Sequence, residues 1–328
     1  MECYPHDSLV TSAVNCNPTN LCDNGIVSWR YYAPLPGSIW DAPENIPEVC
    51  YGENSGYGNP PTPCASPEFT NHVAFPTKSH YQGAPIFSDI TNCHLQQLSW
   101  VIPDEQWSDH PGSYETGLGP DYVADIVNSI GKSPCTDQPS GQTYWQDTAI
   151  FITWDDWGGF YDHIVPPAVY RSTMLGVCND PHAPYGWGCG YVYGFRVPLL
   201  VVSRWTPAGY VSGACTGTGS GGCPNDAWPG PYVHDFGSIL AFIEHNFVGM
   251  QFIAPQGYAD YNAPDGYQYD GINAVPLYDF FGLCCSPANA RSFTPIYVPA
   301  NLGPTYFEDY YYQTGLGPIG PDDVPDPD

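Results

Sequence analysis

The run Trp154-Asp155-Asp156-Trp157-Gly158-Gly159-Phe160-Tyr161-Asp162-His163 concentrates most of the chemistry in this chain. Two adjacent carboxylates repel each other unless a cation or a proton sits between them. Hard oxygen ligands, with a further carboxylate and an imidazole a few residues on, suit a divalent metal ion that handles phosphate. The plainer alternative is a turn in which Asp155 caps backbone amides and Asp156 is solvated. Gly158-Gly159 allows a tight turn under either reading. A second block, Pro103-Asp104-Glu105-Gln106-Trp107-Ser108-Asp109-His110-Pro111, also follows an apolar stretch. His110 there is placed to donate to a phosphoryl oxygen or act as a general acid, unless it is an ordinary loop histidine.

Other chemistry-bearing residues carry less. His234 opens a helical pattern in Val233-His234-Asp235-Phe236-Gly237-Ser238, and His72, His80, His94, His182 and His245 have no supporting context. The Gly-rich stretch from Gly213 to Gly222 superficially resembles a phosphate cradle. It lacks the lysine of a P-loop, and Cys215 and Cys223 flank it, so a disulfide-closed surface loop is the better reading. Adjacent Cys284 and Cys285 read as staples to two different segments.

Regular elements must position the two main blocks. Thr148-Ala149-Ile150-Phe151-Ile152-Thr153-Trp154 is nearly continuously apolar, as in a parallel strand covered on both faces. It delivers Asp155 and Asp156 to its C-terminal end, the edge where open α/β sheets bind ligands. Leu98 to Pro103 is a strand leading to the His110 block. Ile26 to Tyr32 and Val197 to Ser203 complete the predicted strands. Val123, Ile126, Val127 and Ile130 mark one face of a helix over 120–130, with Gly131 as its C-cap signal. A further helix is predicted over about 235–247 and a short one over 7–15. Residues 33–92 read mostly as loop and suggest a lid. Strands alternating with helices predict an α/β fold with a mostly parallel sheet. The expected division is a core over 1–250 and a Tyr-, Pro- and Gly-rich extension over 251–328 that ends in an acidic tail.

Composition excludes several classes. The 328 residues carry 34 acidic and 7 basic side chains, a formal charge of −27. There is no basic footprint for nucleic acid or for an anionic membrane surface. No apolar run approaches the roughly 18 residues of a spanning helix. Gly (35) and Pro (37) are abundant, yet 42% hydrophobic content is enough for a real core. The thirteen cysteines show neither a C-x-x-C pair nor zinc spacing. They predict a disulfide framework in an oxidising compartment, with Cys16 paired to Cys22. Thirteen is odd, so one cysteine needs a partner elsewhere. The opening MECYPHDSLV has no basic n-region or apolar h-region. The expectation is an extracytoplasmic protein whose signal peptide is not in this chain.

Taken in order, four blocks resemble the bacterial phosphoesterase family of phosphatidylcholine-type phospholipases C and related acid phosphatases. They are Ser28-Trp29-Arg30-Tyr31-Tyr32-Ala33-Pro34, Ser99 through Pro111, Thr148 through His163, and Gly194-Phe195-Arg196 through Ser203. The helix from His234 and Arg291-Ser292-Phe293-Thr294-Pro295-Ile296 also fit. The resemblance implies an α/β core like that of alkaline phosphatase, incomplete here at its N-terminus. It implies that Asp155 and Asp156 bind a divalent metal, and that His110 and His163 act near the phosphoryl group. The implied substrate is a phosphate ester or phospholipid. In that family an N-terminal region supplies a Glu-Asn pair to the metal and a Ser or Thr nucleophile. No Glu-Asn-x-Ser-Phe-Asp element occurs in this chain, and Glu44-Asn45 and Glu53-Asn54 lie in the wrong context. The expectation is therefore a chain lacking the nucleophile, partnered by its own missing N-terminal segment. The rival expectation is a non-catalytic exported binding or structural module.

Overall fold

The computed structural model describes residues 27–52, 64–76, 83–108, 110, 118–136, 141–163, 194–212, 234–247, 277–281 and 290–296. These form a mixed α/β fold of two small sheets flanked by helices. The predicted helix over 7–15, the Cys16–Cys22 pair, the Gly213–Gly222 loop, Cys284-Cys285 and the acidic tail lie outside the described residues.

The first sheet is parallel, with β1 (Trp29–Tyr32) between β2 (Val73–Ala74) and β3 (Leu98–Val101). Trp29, Tyr31 and Tyr32 are buried because β1 has a neighbour on each side. Two apolar clusters sandwich it. One gathers Trp29, Tyr31, Ile46, Val49, Phe69 and Val73. The other holds Tyr32, Ile86, Ile90, Trp107, Tyr122 and Ile126. The polar tip of Tyr32 donates to Asp89 at 2.7 Å, and the Arg30 guanidinium lies 3.3 Å from the same carboxylate oxygen.

Three short helices occupy the segment that reads as loop over 33–92. They are α1 (Pro47–Tyr51), α2 (Pro67–His72) and α3 (Pro85–Thr91), preceded by a 3-10 turn over Ala42–Asn45. Pro43, Pro47, Pro67 and Pro85 stand at the starts of these turns, where a missing N–H removes no internal bond. Ser66 caps α2 by accepting from the Phe69 amide. Among the described residues of this segment, Val49 and Cys50 have no exposed surface.

α4 (Leu118–Lys132) confirms the predicted amphipathic helix and extends it at both ends. Gly131 is inside it rather than its cap. A Cβ there would come within 2.1 Å of the Phe293 ring, so close packing is what requires glycine. Residues 290–296 lie along α4 as a strap. Asn128 donates to the Ile296 carbonyl and accepts from its amide, both at 2.8 Å. Disulfides Cys50–Cys64 and Cys93–Cys135 bear out the predicted framework where it can be seen. The second closes the longer loop, spanning 42 residues, worth about 4 kcal/mol on the chain-entropy account.

The second sheet pairs β4 (Ala149–Thr153) with β5 (Leu199–Ser203), and the pairing is antiparallel. The apolar run of β4 predicts a parallel strand covered on both faces, and the observed strand is only half-buried. A continuous apolar run reports coverage, not strand direction. One face of this pair, through Phe151 and Val201, packs on Leu277, Phe280 and Phe281 and on Phe242 of α5 (Phe236–Phe247). The other face presents Ile150, Ile152, Leu200 and Val202 to a large open groove of about 2010 Å³, whose opposite wall is β3 and α4.

Candidate active site

That groove is lined by several of the residues singled out from sequence. His110, Asp155, Asp156 and Arg196 all line it. Asp155 and Asp156 follow β4 directly, as predicted. The Asp156 amide donates to Asp155 Oδ1 at 3.1 Å, and the Gly158 amide donates to Asp156 Oδ1 at 2.6 Å. Those bonds draw the chain back on itself in an Asx turn. Gly158 and Gly159 then take positive φ angles of 65° and 80°, which a side chain would strain. Each carboxylate thus spends one oxygen on the turn and keeps the other toward solvent. Both expected roles, amide capping and an open oxygen for a cation, are compatible with this geometry.

His163 is reached less directly. Its Nδ1 stands 3.5 Å from Asp162 Oδ1, and Asp162 in turn holds Arg196. The Arg196 fork is bidentate: Nε donates to Asp162 Oδ2 at 2.7 Å and Nη2 to Oδ1 at 2.9 Å. That carboxylate raises the guanidinium pKa above its ordinary value. The pair ties the end of the Asp-Asp turn to the segment entering β5. A second tie is steric. Trp157 lies against the Gly194 backbone so closely that a Cβ there would meet its ring at 2.1 Å. Phe195 meets Trp157 and Tyr161 edge-on at 6.1 and 5.6 Å. Sequence reading noted Gly194-Phe195-Arg196 as a block but not as the partner of Trp157 and Asp162. The signal was an arginine in a chain with only seven basic residues.

His110 follows the 3-10 turn Glu105–Trp107 beyond β3. Its amide donates to Ser108 Oγ at 3.2 Å, and Ser108 Oγ donates to the Glu105 carbonyl at 2.9 Å. Trp107 anchors this turn in the core against Tyr122, ring centroids 5.6 Å apart. The His110 side chain is exposed at the groove. His234 is placed elsewhere, its Nε2 within 3.1 Å of Ser212 Oγ and its ring near Phe280.

Hard carboxylate oxygens fit a divalent cation, but two are too few for a closed site. Among the described residues, no group of three or more His, Cys, Asp or Glu side chains is gathered to hold a metal ion. Among them, too, no helix is long and apolar enough to cross a membrane.

The described residues thus place an Asp-Asp turn at a strand end, with His110 and Arg196 lining the same groove. A family model described as the Phosphoesterase family matches residues 7–248, and the chain belongs to that family. It is 31% identical to the non-hemolytic phospholipase C of Burkholderia pseudomallei over 172 residues, covering 48% of this chain and 20% of that protein. To phospholipase C B of Mycobacterium tuberculosis it is 30% identical over 195 residues, 58% of this chain and 34% of that protein. A plant protein, the non-specific phospholipase C5 of Arabidopsis thaliana, is 26% identical over 144 residues, 41% of this chain and 25% of its own length. The chain thus spans about a fifth to a third of these relatives.

Proposed function

We propose that the chain carries part of the active site of a metal-dependent phosphoric ester hydrolase of the phospholipase C or acid phosphatase type. The observation that carries this reading is the Asp155–Asp156 turn at the end of β4, with one oxygen of each carboxylate outside the turn's bonds, beside a groove that His110 also lines. Family membership and the phospholipase C relatives support it. The Asp155 and Asp156 carboxylates hold a divalent cation, with further ligands from outside the described residues. When bound, such a cation neutralises charge on phosphoryl oxygens and lowers the pKa of an attacking hydroxyl. That hydroxyl belongs to a Ser or Thr supplied by polypeptide beyond this chain. His110 donates a proton to the leaving-group oxygen. His163, held by the Asp162–Arg196 pair, stabilises charge on the phosphoryl group. A local cation and imidazoles are needed, because a net charge of −27 repels an anionic substrate. The two disulfides support an extracytoplasmic location.

The test is titration with Mn²⁺, Zn²⁺ and Ca²⁺ by calorimetry, on the wild type and on Asp155→Asn and Asp156→Asn. At least one ion is expected to bind, and each variant to weaken it tenfold or more. Wild-type indifference to all three ions, or unchanged affinity in both variants, sinks the reading. The second reading is a non-catalytic exported binding module. It draws on the exposed aromatics beside the turn, Phe160 at 60% and Tyr161 at 83% exposure.

A further inference from the structure

The segments leaving β4 and entering β5 stay together beyond the strands. Thr153 pairs with Leu199 at the last register position, and the Thr153 hydroxyl donates to the Pro198 carbonyl at 2.9 Å. Further out, the Trp157 ring lies on the Gly194 backbone and meets Phe195 edge-on. These contacts bracket Arg196 on both sides. Counted outward from Thr153 and Leu199, the antiparallel register brings residue 196 level with residue 156. Arg196 thus stands beside the Asp155–Asp156 turn, yet it bonds neither of those carboxylates. Its Nε and Nη2 both go to Asp162, which is only 14% exposed. That side-on pair leaves both N–H groups of Nη1 without a partner among the described residues, on a guanidinium that is 61% exposed and lines the groove.

We infer that Arg196 is a substrate-binding residue that donates from Nη1 to a non-bridging oxygen of the phosphate ester, with Asp162 holding the guanidinium in place. Asp162 cancels the formal charge of the arginine but not its remaining donors. By fixing the plane of the fork it also removes rotamer freedom that an exposed arginine otherwise loses on binding. Planar donors held in this way match the oxygens of a phosphoryl group. The neighbouring carboxylates make such donors necessary. A divalent cation on Asp155 and Asp156 is neutralised by them, so an anionic ester needs hydrogen bonds from elsewhere, in a chain with only seven basic residues. The inference rests on the phosphoric ester reading above but not on its metal ion.

The test is titration of the chain with inorganic phosphate, in the presence of whichever of Mn²⁺, Zn²⁺ and Ca²⁺ it binds, or in EDTA if it binds none. Binding is read by calorimetry and by the Arg196 side-chain signals in ¹⁵N NMR, assigned by their loss in Arg196→Gln. In the wild type these signals are expected to shift and saturate with phosphate, and not with chloride at the same ionic strength. Arg196→Gln is expected to weaken phosphate binding at least tenfold while the β4 and β5 amide signals stay in place. Arg196→Lys, which keeps the charge but not the fork, is expected to fall between the two. The inference is overturned if phosphate moves the Arg196 signals no further than chloride does, or if Arg196→Gln binds phosphate within twofold of the wild type. The wild-type shift decides alone if the variant does not fold. Phosphate held by Arg196 in a chain that binds no ion removes the metal from the proposed function and keeps this inference. An ion bound at Asp155 and Asp156 beside an indifferent Arg196 does the reverse.

Discussion

β1 and β4 are both short strands that begin a block of the family pattern, and they end in opposite environments. β1, Trp-Arg-Tyr-Tyr, carries an arginine and two phenols, yet three of its four residues are buried. β4, Ala-Ile-Phe-Ile-Thr, is the more apolar of the two, and none of its residues is buried. The difference lies in the neighbours. Among the described residues, β1 has a strand on each side and a cluster on each face, whereas β4 has one strand, one cluster on its Phe151 face and only Ile150 packed against the first core on the other. Burial in both strands thus follows the neighbours rather than the polarity of the side chains.

The first way to sharpen this contrast is a charge inside the better-packed region. Asp41 has no exposed surface, and neither of its oxygens reaches hydrogen-bond geometry with a described residue. Burial, followed by the nearby Glu44 charge, pushes its pKa up to about 7. The folded protein thus keeps a proton that the unfolded chain releases near pH 4. Stability from this group is complete below pH 4 and falls as pH rises through about 7, by up to about 4 kcal/mol. Asp41→Asn is expected to abolish that decline, so that urea midpoints of variant and wild type diverge most at pH 8. A parallel pH dependence in the two proteins would mean that water reaches Asp41 and that this region is less dry than its burial indicates.

A pair of truncations compares the regions directly. Ile90 is 2% exposed in the first core, and Ile90→Ala is expected to cost about 3 kcal/mol. Ile152 in β4 is half-buried on the groove wall, and Ile152→Ala is expected to cost under about 1 kcal/mol in this chain. Urea unfolding of both variants checks the ratio. Equal costs would show that the groove face is already covered and would erase the contrast.

What sequence made legible follows the same division. β1, β3, β4, β5 and the helix expected over 120–130 were readable, because periodicity and turn residues are local signals, whereas β2 fell in the segment read as loop. The helices between 33 and 92 were not. Proline at helix starts and proline in loops look alike until the caps are placed, and only Ser66 announces one. The antiparallel direction of β5 against β4 was also hidden, since direction depends on the chain between them. At the candidate site, Asp155, Asp156 and His110 stand out in sequence by residue type after a predicted strand, and all three line the groove. The Asp162–Arg196 pair was not, because it joins residues 34 positions apart. Gly194 escaped notice for a similar reason: nothing local says that a tryptophan ring will lie on it.

Arginine–aspartate pairs give the finest comparison, because the same chemistry occurs once in each region. Arg30 lies against Asp89, a buried carboxylate that Tyr32 also contacts. Removing one partner of a shielded pair leaves a charge in a poor solvent. Arg30→Ala is therefore expected to cost about 2 kcal/mol. Arg196 holds Asp162 with better geometry, two bonds rather than one, but its side chain is 61% exposed. That exposure screens the pair, although the carboxylate left behind, 14% exposed, is nearly as shielded as Asp89 at 11%, so Arg196→Ala is expected to cost about 1 kcal/mol of global stability. Its effect should be local, in faster amide exchange over 158–163 and a wider range of His163 orientations. Urea midpoints measure the first quantity and backbone relaxation the second. If Arg196→Ala costs as much as Arg30→Ala, the burial of the aspartate rather than the exposure of the arginine sets the cost of each pair.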